Sequence, residues 1–399
     1  MADSHLRFGI FLPPIHPPGQ NPTLALQRDL QLIEHLDRLG FDEAWIGEHH
    51  SAGHEIISSP EIFIAAAAER TRRIMLGTGV VSLPYHHPFM VAERIVLLDH
   101  LTRGRVMLGV GPGALPSDAA MLGIDAASQR DRMDESLGVI MRLLRGETVD
   151  HESDWFRLVD ARLQLAPFSR PHPEVAVAAM VSPSGPRTAG RHGVSLLSIG
   201  ATQQAGFDAL GTHWSVWEET ARHHGHTPDR SRWRVLTQMH LAPTRKKAEK
   251  EVRYGLPDFL RYFAEVAALP IAPAGDVSDI SEHLRERALG VIGTPDDAIE
   301  LIERLLEQSG GFGTLLLFAH DWADPEATKR SYELFATRVM PYFQGQLDPP
   351  QTSMLWTAER REKFMADFGA GVAAAIQRHQ QDRERWAAGG DAPDDQGRL

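Results

Sequence analysis

Residues 74–88 read Ile-Met-Leu-Gly-Thr-Gly-Val-Val-Ser-Leu-Pro-Tyr-His-His-Pro. A short apolar run dissolves into Gly, Ser, Pro and His, and helical spacing over 89–101 follows before the next apolar run opens at Arg105. That is the strand, loop and helix of one βα unit, and working outward the same rhythm recurs in both directions. Apolar runs occupy residues 6–12, 42–47, 74–81, 105–110, 175–180, 194–199, 234–241 and 314–319. Helical spacing fills 23–39, 60–72, 129–144, 203–224 and 295–308. Runs that are apolar throughout fit parallel strands buried on both faces. Eight units predict an α/β fold, a (β/α)8 TIM barrel whose chemistry sits at the C-terminal ends of the strands. A doubly wound open sheet is the alternative, and it binds ligands at the same edge.

The chain has 399 residues, which leaves room beyond one barrel for insertions and a tail. The reading is one barrel domain over 1–345, a lid-like insertion at 244–293 between the seventh and eighth strands, and a C-terminal helix and flexible tail at 346–399. Within the insertion, 245–267 reads as one helix. In the C-terminal segment Phe364, Phe368, Val372 and Ile376 share a helical face, suited to packing on the chain's own barrel or on a second subunit.

Charged residues make up 24% and the hydrophobic set 42%, an ordinary globular composition. Against 41 Lys and Arg stand 53 Asp and Glu, a net charge of -12 that disfavours nucleic acid and anionic membrane as partners. There is no cysteine, which excludes disulfides, thiolate catalysis and Cys-based metal sites, so histidine must carry any nitrogen-ligand or proton-transfer role. The first residues carry neither a basic n-region nor an apolar h-region, and a cytoplasmic protein is expected.

Reactive residue types collect on one rim. Glu48-His49-His50 follows the second strand, and His86-His87 follows the third. Adjacent histidines at a strand end point apart, so His49 and His50 do not readily share an ion. No metal site is assigned, and a single neutral imidazole facing the pocket is read instead, able to hydrogen-bond or shuttle a proton. Ser182-Pro183-Ser184-Gly185 opens a short helix, either as a phosphate seat at a helix N-terminus or as simple N-capping by Ser184. The glycines at 77, 79, 109, 111 and 113 fit either a smooth-walled cavity or ordinary small-residue packing.

Taken together, Gly40-Phe41-Asp42 through Trp45-Ile46-Gly47-Glu48-His49-His50, Leu76 to Pro84 leading to His87-Pro88, Leu98-Asp99-His100-Leu101-Thr102-Arg103-Gly104-Arg105, Gly109-Val110-Gly111, Gly293-Thr294-Pro295 and Val339-Met340-Pro341 resemble the bacterial luciferase-like, flavin-dependent monooxygenases. The resemblance covers roughly residues 8–343 and is nearest to the limonene-type members. It implies a (β/α)8 barrel, often a homodimer, that binds reduced FMN delivered by a separate NAD(P)H:flavin reductase. Oxygen then adds to the flavin, and the adduct oxidises an organic substrate.

On that resemblance His49 matches the pocket histidine that stabilises the adduct or moves a proton. Gly79-Val80 matches a non-prolyl cis peptide lying against the isoalloxazine ring. Ser182, Ser184 and Gly185 match the phosphate loop, Gly111 lines the cofactor pocket, and Asp118 falls where luciferases place a rim aspartate. The chain departs from luciferase where Gly111 and Pro112 replace a cysteine and a phosphate-binding arginine, which leaves Arg187 or Arg191 to supply charge. The expected reaction is hydroxylation, epoxidation or Baeyer-Villiger insertion on a small or medium organic molecule with O2. The rivals are a deazaflavin-dependent dehydrogenase of the same fold and a non-catalytic flavin-binding relative.

Overall fold

A tryptophan organises the barrel interior. Trp45 is fully buried in the middle of β2 (Glu43–Ile46) among Phe11, Met107, Leu197, Leu236 and Leu316. Two glycines make its space: a Cβ on Gly77 would lie 2.6 Å from the indole, and one on Gly109 would lie 2.1 Å from the Thr78 carbonyl and 2.9 Å from the indole. Gly77 and Gly109 are therefore packing residues and not cavity wall.

The computed structural model describes residues 6–13, 15–199, 209–267 and 276–389. The remaining strands are β1 (Arg7–Leu12), β3 (Met75–Thr78), β4 (Val81–Ser82), β5 (Val106–Gly111), β6 (Val149–Glu152), β7 (Arg157–Ala161), β8 (Glu174–Ala179), β9 (Ser195–Ser198), β10 (Trp233–Leu241), β11 (Gly290–Gly293) and β12 (Thr314–Phe318). β1, β2, β3, β5, β8, β9, β10 and β12 pair in parallel in that order, and β12 returns to β1, closing a TIM barrel. Every apolar run read from the sequence is one of these staves. The surrounding helices bury their apolar faces on the strands, the larger of the barrel's cores.

The structure adds to the sequence reading and divides one of its helices. β6 and β7 form an antiparallel hairpin whose polar, half-exposed residues carry no apolar run. β11 rises from the insertion and pairs with the distal half of β10, from Gln238 to Leu241. The single helix expected over 245–267 is broken into Arg245–Val252, Leu256–Arg261 and a π-helical turn, Tyr262–Val266. Gly255 explains the break: its N–H donates to Trp322 O (2.9 Å), and a Cβ there would lie 1.9 Å from Asp321 O.

At the N-terminal ends of the strands sits a closed ionic network. Arg234, fully buried on β10, donates from Nε and Nη2 to the Glu43 carboxylate (2.7 and 2.9 Å) and from Nη1 to Glu174 (2.9 Å). Trp45 Nε1 also donates to Glu43 (2.9 Å). Burial would raise the Glu174 carboxyl, but Arg234 outweighs it and holds the group down at about 2.

The chain divides into two units, Met1–Gln344 and Gly345–Leu399. The second consists of helices Asp348–Glu359 and Arg361–Ala387, neither with a buried residue, and Phe368, Val372 and Ile376 are exposed. Among the described residues no helix is long and apolar enough to cross a membrane. The Pro/Ala-rich stretch of the insertion at 269–274, the start of the expected 203–224 helix and the tail beyond 389 lie outside the described residues.

Candidate active site

β2 delivers Gly47, Glu48, His49 and His50 to the rim as it leaves the barrel. The loop then folds back: His49 N donates to Ile57 O (3.1 Å), and Glu55 bridges antiparallel to Ile15. This return brings the Glu55 carboxylate to 3.1 Å from Nε2 of His49. On the other side of the ring, Nδ1 lies 3.1 Å from Asp118, which the short helix Pro116–Met121 presents. Asp118 also accepts from His50 N (3.1 Å) and from the Ser51 hydroxyl. Burial alone would lower the His49 pKa, but Glu55 and then Asp118 overcome it and the value is raised. The single imidazole expected from the sequence does face the pocket, and the two carboxylates that flank it favour its protonated form. The Asp118 carboxyl is lowered in turn, since its bonds with His49 and Ser51 outweigh its burial.

The neighbouring histidine turns away, as strand geometry requires. His50 Nε2 and His86 Nε2 both bond to Glu48 Oε1 (2.8 and 2.6 Å), while Ser82 N donates to Oε2 (2.8 Å). Burial would raise Glu48, but the two imidazoles bring it down to about 2, and Glu48 in turn raises His50. These three side chains have metal-ligating chemistry, with ligand atoms within 4.8 Å of one another. Those atoms are engaged with one another in hydrogen bonds, which accounts for the cluster without an ion.

Inside the rim lies a pocket enclosing about 740 Å3 of empty space, its open mouth included. Phe11, Val80, Met180, Ile199, Leu236 and Phe318 make its walls apolar, and Glu48, His49 and Glu55 form one polar end. The insertion contributes Phe263 and Ala267. Such a site, mostly apolar with a few convergent polar groups, is the usual form of a small-molecule or cofactor pocket.

The residues singled out from the sequence fall in different places. His49, Gly79 and Val80 line this pocket, and the Gly79–Val80 peptide is cis. Gly111 lies behind Val80, 2.7 Å from its Cγ2 if a Cβ were added. Ser182 precedes and Ser184 opens the helix Ser184–His192, and their hydroxyls pair with each other at 2.8 Å. N-capping by Ser184 is therefore not what this motif does: the helix N-terminus carries no side-chain cap. Gly185 is buried where a Cβ would meet Ala178 O at 2.7 Å, so close packing against β8 demands a glycine there. Arg191 is committed to Asp134, which leaves Arg187, exposed, as the other arginine of that helix.

Two buried polar residues escaped the sequence reading, Glu55 and Tyr262. The Tyr262 hydroxyl donates to Glu55 Oε1 at 2.6 Å across 207 residues of sequence. No spacing rule joins them, and only the buried acid at residue 55, beside a His-rich run, could have hinted at it.

Comparison with known proteins agrees with this architecture. The luciferase-like monooxygenase family profile matches residues 6–312. The chain is 49% identical to limonene 1,2-monooxygenase of Rhodococcus erythropolis, covering 86% of this chain and 88% of that one. It is also 49% identical to 4-hydroxyprotoasukamycin monooxygenase of Streptomyces nodosus subsp. asukaensis, covering 89% and 97%. Among solved structures, the FMN complex of the oxygenating constituent of 3,6-diketocamphane monooxygenase from Pseudomonas putida, a type II Baeyer-Villiger enzyme, superposes with a TM-score of 0.70. That pair shares 31% identity over 84% of this chain and 98% of the other. The chain belongs to the luciferase-like monooxygenase family, and it is a flavin-dependent monooxygenase.

Proposed function

We propose that the protein is the oxygenase of a two-component system: it takes reduced FMN from a separate NAD(P)H:flavin reductase and, with O2, oxidises a small or medium apolar organic molecule. The observation that carries this reading is the pocket itself, mostly apolar on its walls, with Glu48, His49, Glu55 and Ser82 as its polar side chains among the described residues. The FMN complex of the diketocamphane relative supports the choice of flavin, and limonene, an apolar terpene, supports the substrate class.

The residues present fit the cofactor. Gly79 and Val80 offer a flat surface for the ring, with Gly111 leaving Val80 its space. Ser182, Ser184 and the uncapped first turn of Ser184–His192 would hold the phosphate, with Arg187 supplying charge. Reduced FMN, when bound, supplies the electrons with which O2 is split between product and water. The apolar walls keep water from the reacting atoms. His49, its protonated form favoured by Glu55, would present a proton on Nε2 at the polar end, where a developing negative charge would take it or be stabilised by it.

Ile62, Met90, Leu97 and Leu101 are exposed on helices Pro60–Ala68 and Pro88–Thr102, the last three on one helical face, and this strip supports a homodimer.

The test is turnover with a flavin reductase, NAD(P)H, FMN and a panel of terpenes and cyclic ketones. Substrate-dependent O2 uptake with one oxygen atom from 18O2 in the product is expected. Hydride transfer to or from a deazaflavin, with no 18O incorporated, would establish the dehydrogenase instead. Flavin binding with neither activity across the panel favours the non-catalytic relative.

A further inference from the structure

His49 is held from two sides, and one of them depends on a remote part of the chain. Glu55 uses both carboxylate oxygens: Oε2 is 3.1 Å from Nε2 of His49, and Oε1 accepts from the Tyr262 hydroxyl at 2.6 Å. Glu55 and Tyr262 are buried, the latter 1% exposed. Tyr262 begins the π-helical turn Tyr262–Val266, so that it reaches Glu55 while its neighbour Phe263 lines the pocket. Turns of this kind concentrate at functional sites. The Tyr262 ring is also packed on His54, with centroids 4.3 Å apart.

We propose that Glu55 and Tyr262 are positioning residues of the flavin site: the carboxylate fixes the ring of His49 and retains its proton, and Tyr262, supplied by the 244–293 insertion, fixes the carboxylate. The proposal rests on the oxygenase reading for its catalytic meaning, but its geometry stands in the protein without flavin. The charged and titratable groups facing these contacts are Glu48, Asp118 and His50 around the imidazole and His54, Asp258 and Asp321 around the phenol. Glu55 itself touches both His49 and Tyr262. Losing the Glu55 charge should loosen the imidazolium proton. Losing the phenol donor leaves the carboxylate less stabilised when it stands alone than when it faces an imidazolium, so the proton is held to higher pH.

The experiment is a titration of the His49 ring by NMR in the full-length, flavin-free protein labelled at histidine carbons, the signal identified by its loss in His49→Asn. Glu55→Gln should lower the His49 pKa by a unit or more, a tenfold or greater loss of proton affinity, and Glu55→Asp should recover part of it. Tyr262→Phe should move it upward. Unchanged titration in Glu55→Gln and Tyr262→Phe, each with a wild-type melting curve, would overturn the proposal. So would a Glu55→Gln shift that Glu55→Asp leaves wholly unrecovered, since packing and not charge would then be its cause. In turnover the alkaline limb of kcat should shift to lower pH in Glu55→Gln with KM for FMN unchanged. A wild type that titrates as expected yet oxygenates nothing would reject the oxygenase reading and leave the positioning assignment intact.

Discussion

The two ends of β2 carry buried ionic clusters of similar size and opposite purpose. At its start Glu43 grips Arg234, a group that stays charged at any working pH and also reaches Glu174. Just past its end His49, an ionisable imidazole, lies between Asp118 and Glu55, which raise its proton affinity. Arg234 of the lower cluster is packed against the Trp45 ring and Glu43, Glu174 and Arg234 do not line the pocket, whereas His49 and Glu55 of the upper one do. Chemistry is thus assigned by what titrates and what is exposed to a ligand, and not by burial of charge alone.

The largest effect should come from breaking the lower cluster. Arg234→Met strands Glu43 and Glu174 in the barrel and should cost about 3–5 kcal/mol of unfolding free energy in denaturant titration. A loss below about 1 kcal/mol would mean that the network is not structural. His49→Ala is the counterpart: substrate-coupled O2 uptake should fall about a hundredfold or more, read as product formed per NAD(P)H consumed. Undiminished coupling would make the upper cluster as purely structural as the lower.

Glycines at the two levels sharpen the contrast next. Gly111→Ala pushes on Val80 Cγ2, should cost about 1–3 kcal/mol and should weaken FMN binding, because Val80 is pocket wall. Gly109→Ala, aimed at the Thr78 carbonyl and Trp45, should unfold the protein more readily without a selective loss of flavin affinity in the molecules that remain folded.

The smallest effects are pH limbs of opposite sign. His49 is raised on folding, so its stabilisation is fully present below the unfolded value near 6.5 and disappears as pH rises through the folded one. His49→Asn should flatten the alkaline side of a stability profile. Glu174 is depressed to about 2, so its contribution is present above its ordinary 4.5 and disappears as pH falls toward 2. Glu174→Gln should flatten the acid side. Interchange of these two results would contradict the assignment of charges at the two ends.

The fold was legible because each stave of the barrel is a continuous apolar run, and burial on both faces enforces that pattern. β11, with the sequence Gly-Val-Ile-Gly, is too short to stand out, and the β6–β7 hairpin is too polar. The helical insertion was legible except at Gly255, where a contact with the distant Asp321 decides the break. His49 and the Gly79–Val80 segment were readable as local motifs. Its partners were less so, because the 49–55 return depends on a bridge to Ile15 and Tyr262 arrives from the insertion. The direction in which the proton affinity of His49 moves follows from those partners, which no local motif names.

The central claim is tested most directly by anaerobic titration of the protein with reduced FMN, followed by mixing with oxygenated buffer and substrate candidates while flavin absorbance is recorded. The account predicts saturable binding of reduced FMN, reoxidation slower than that of free flavin, and a loss of that protection in His49→Ala. No binding of reduced FMN, together with tight binding of a reduced deazaflavin, would contradict it.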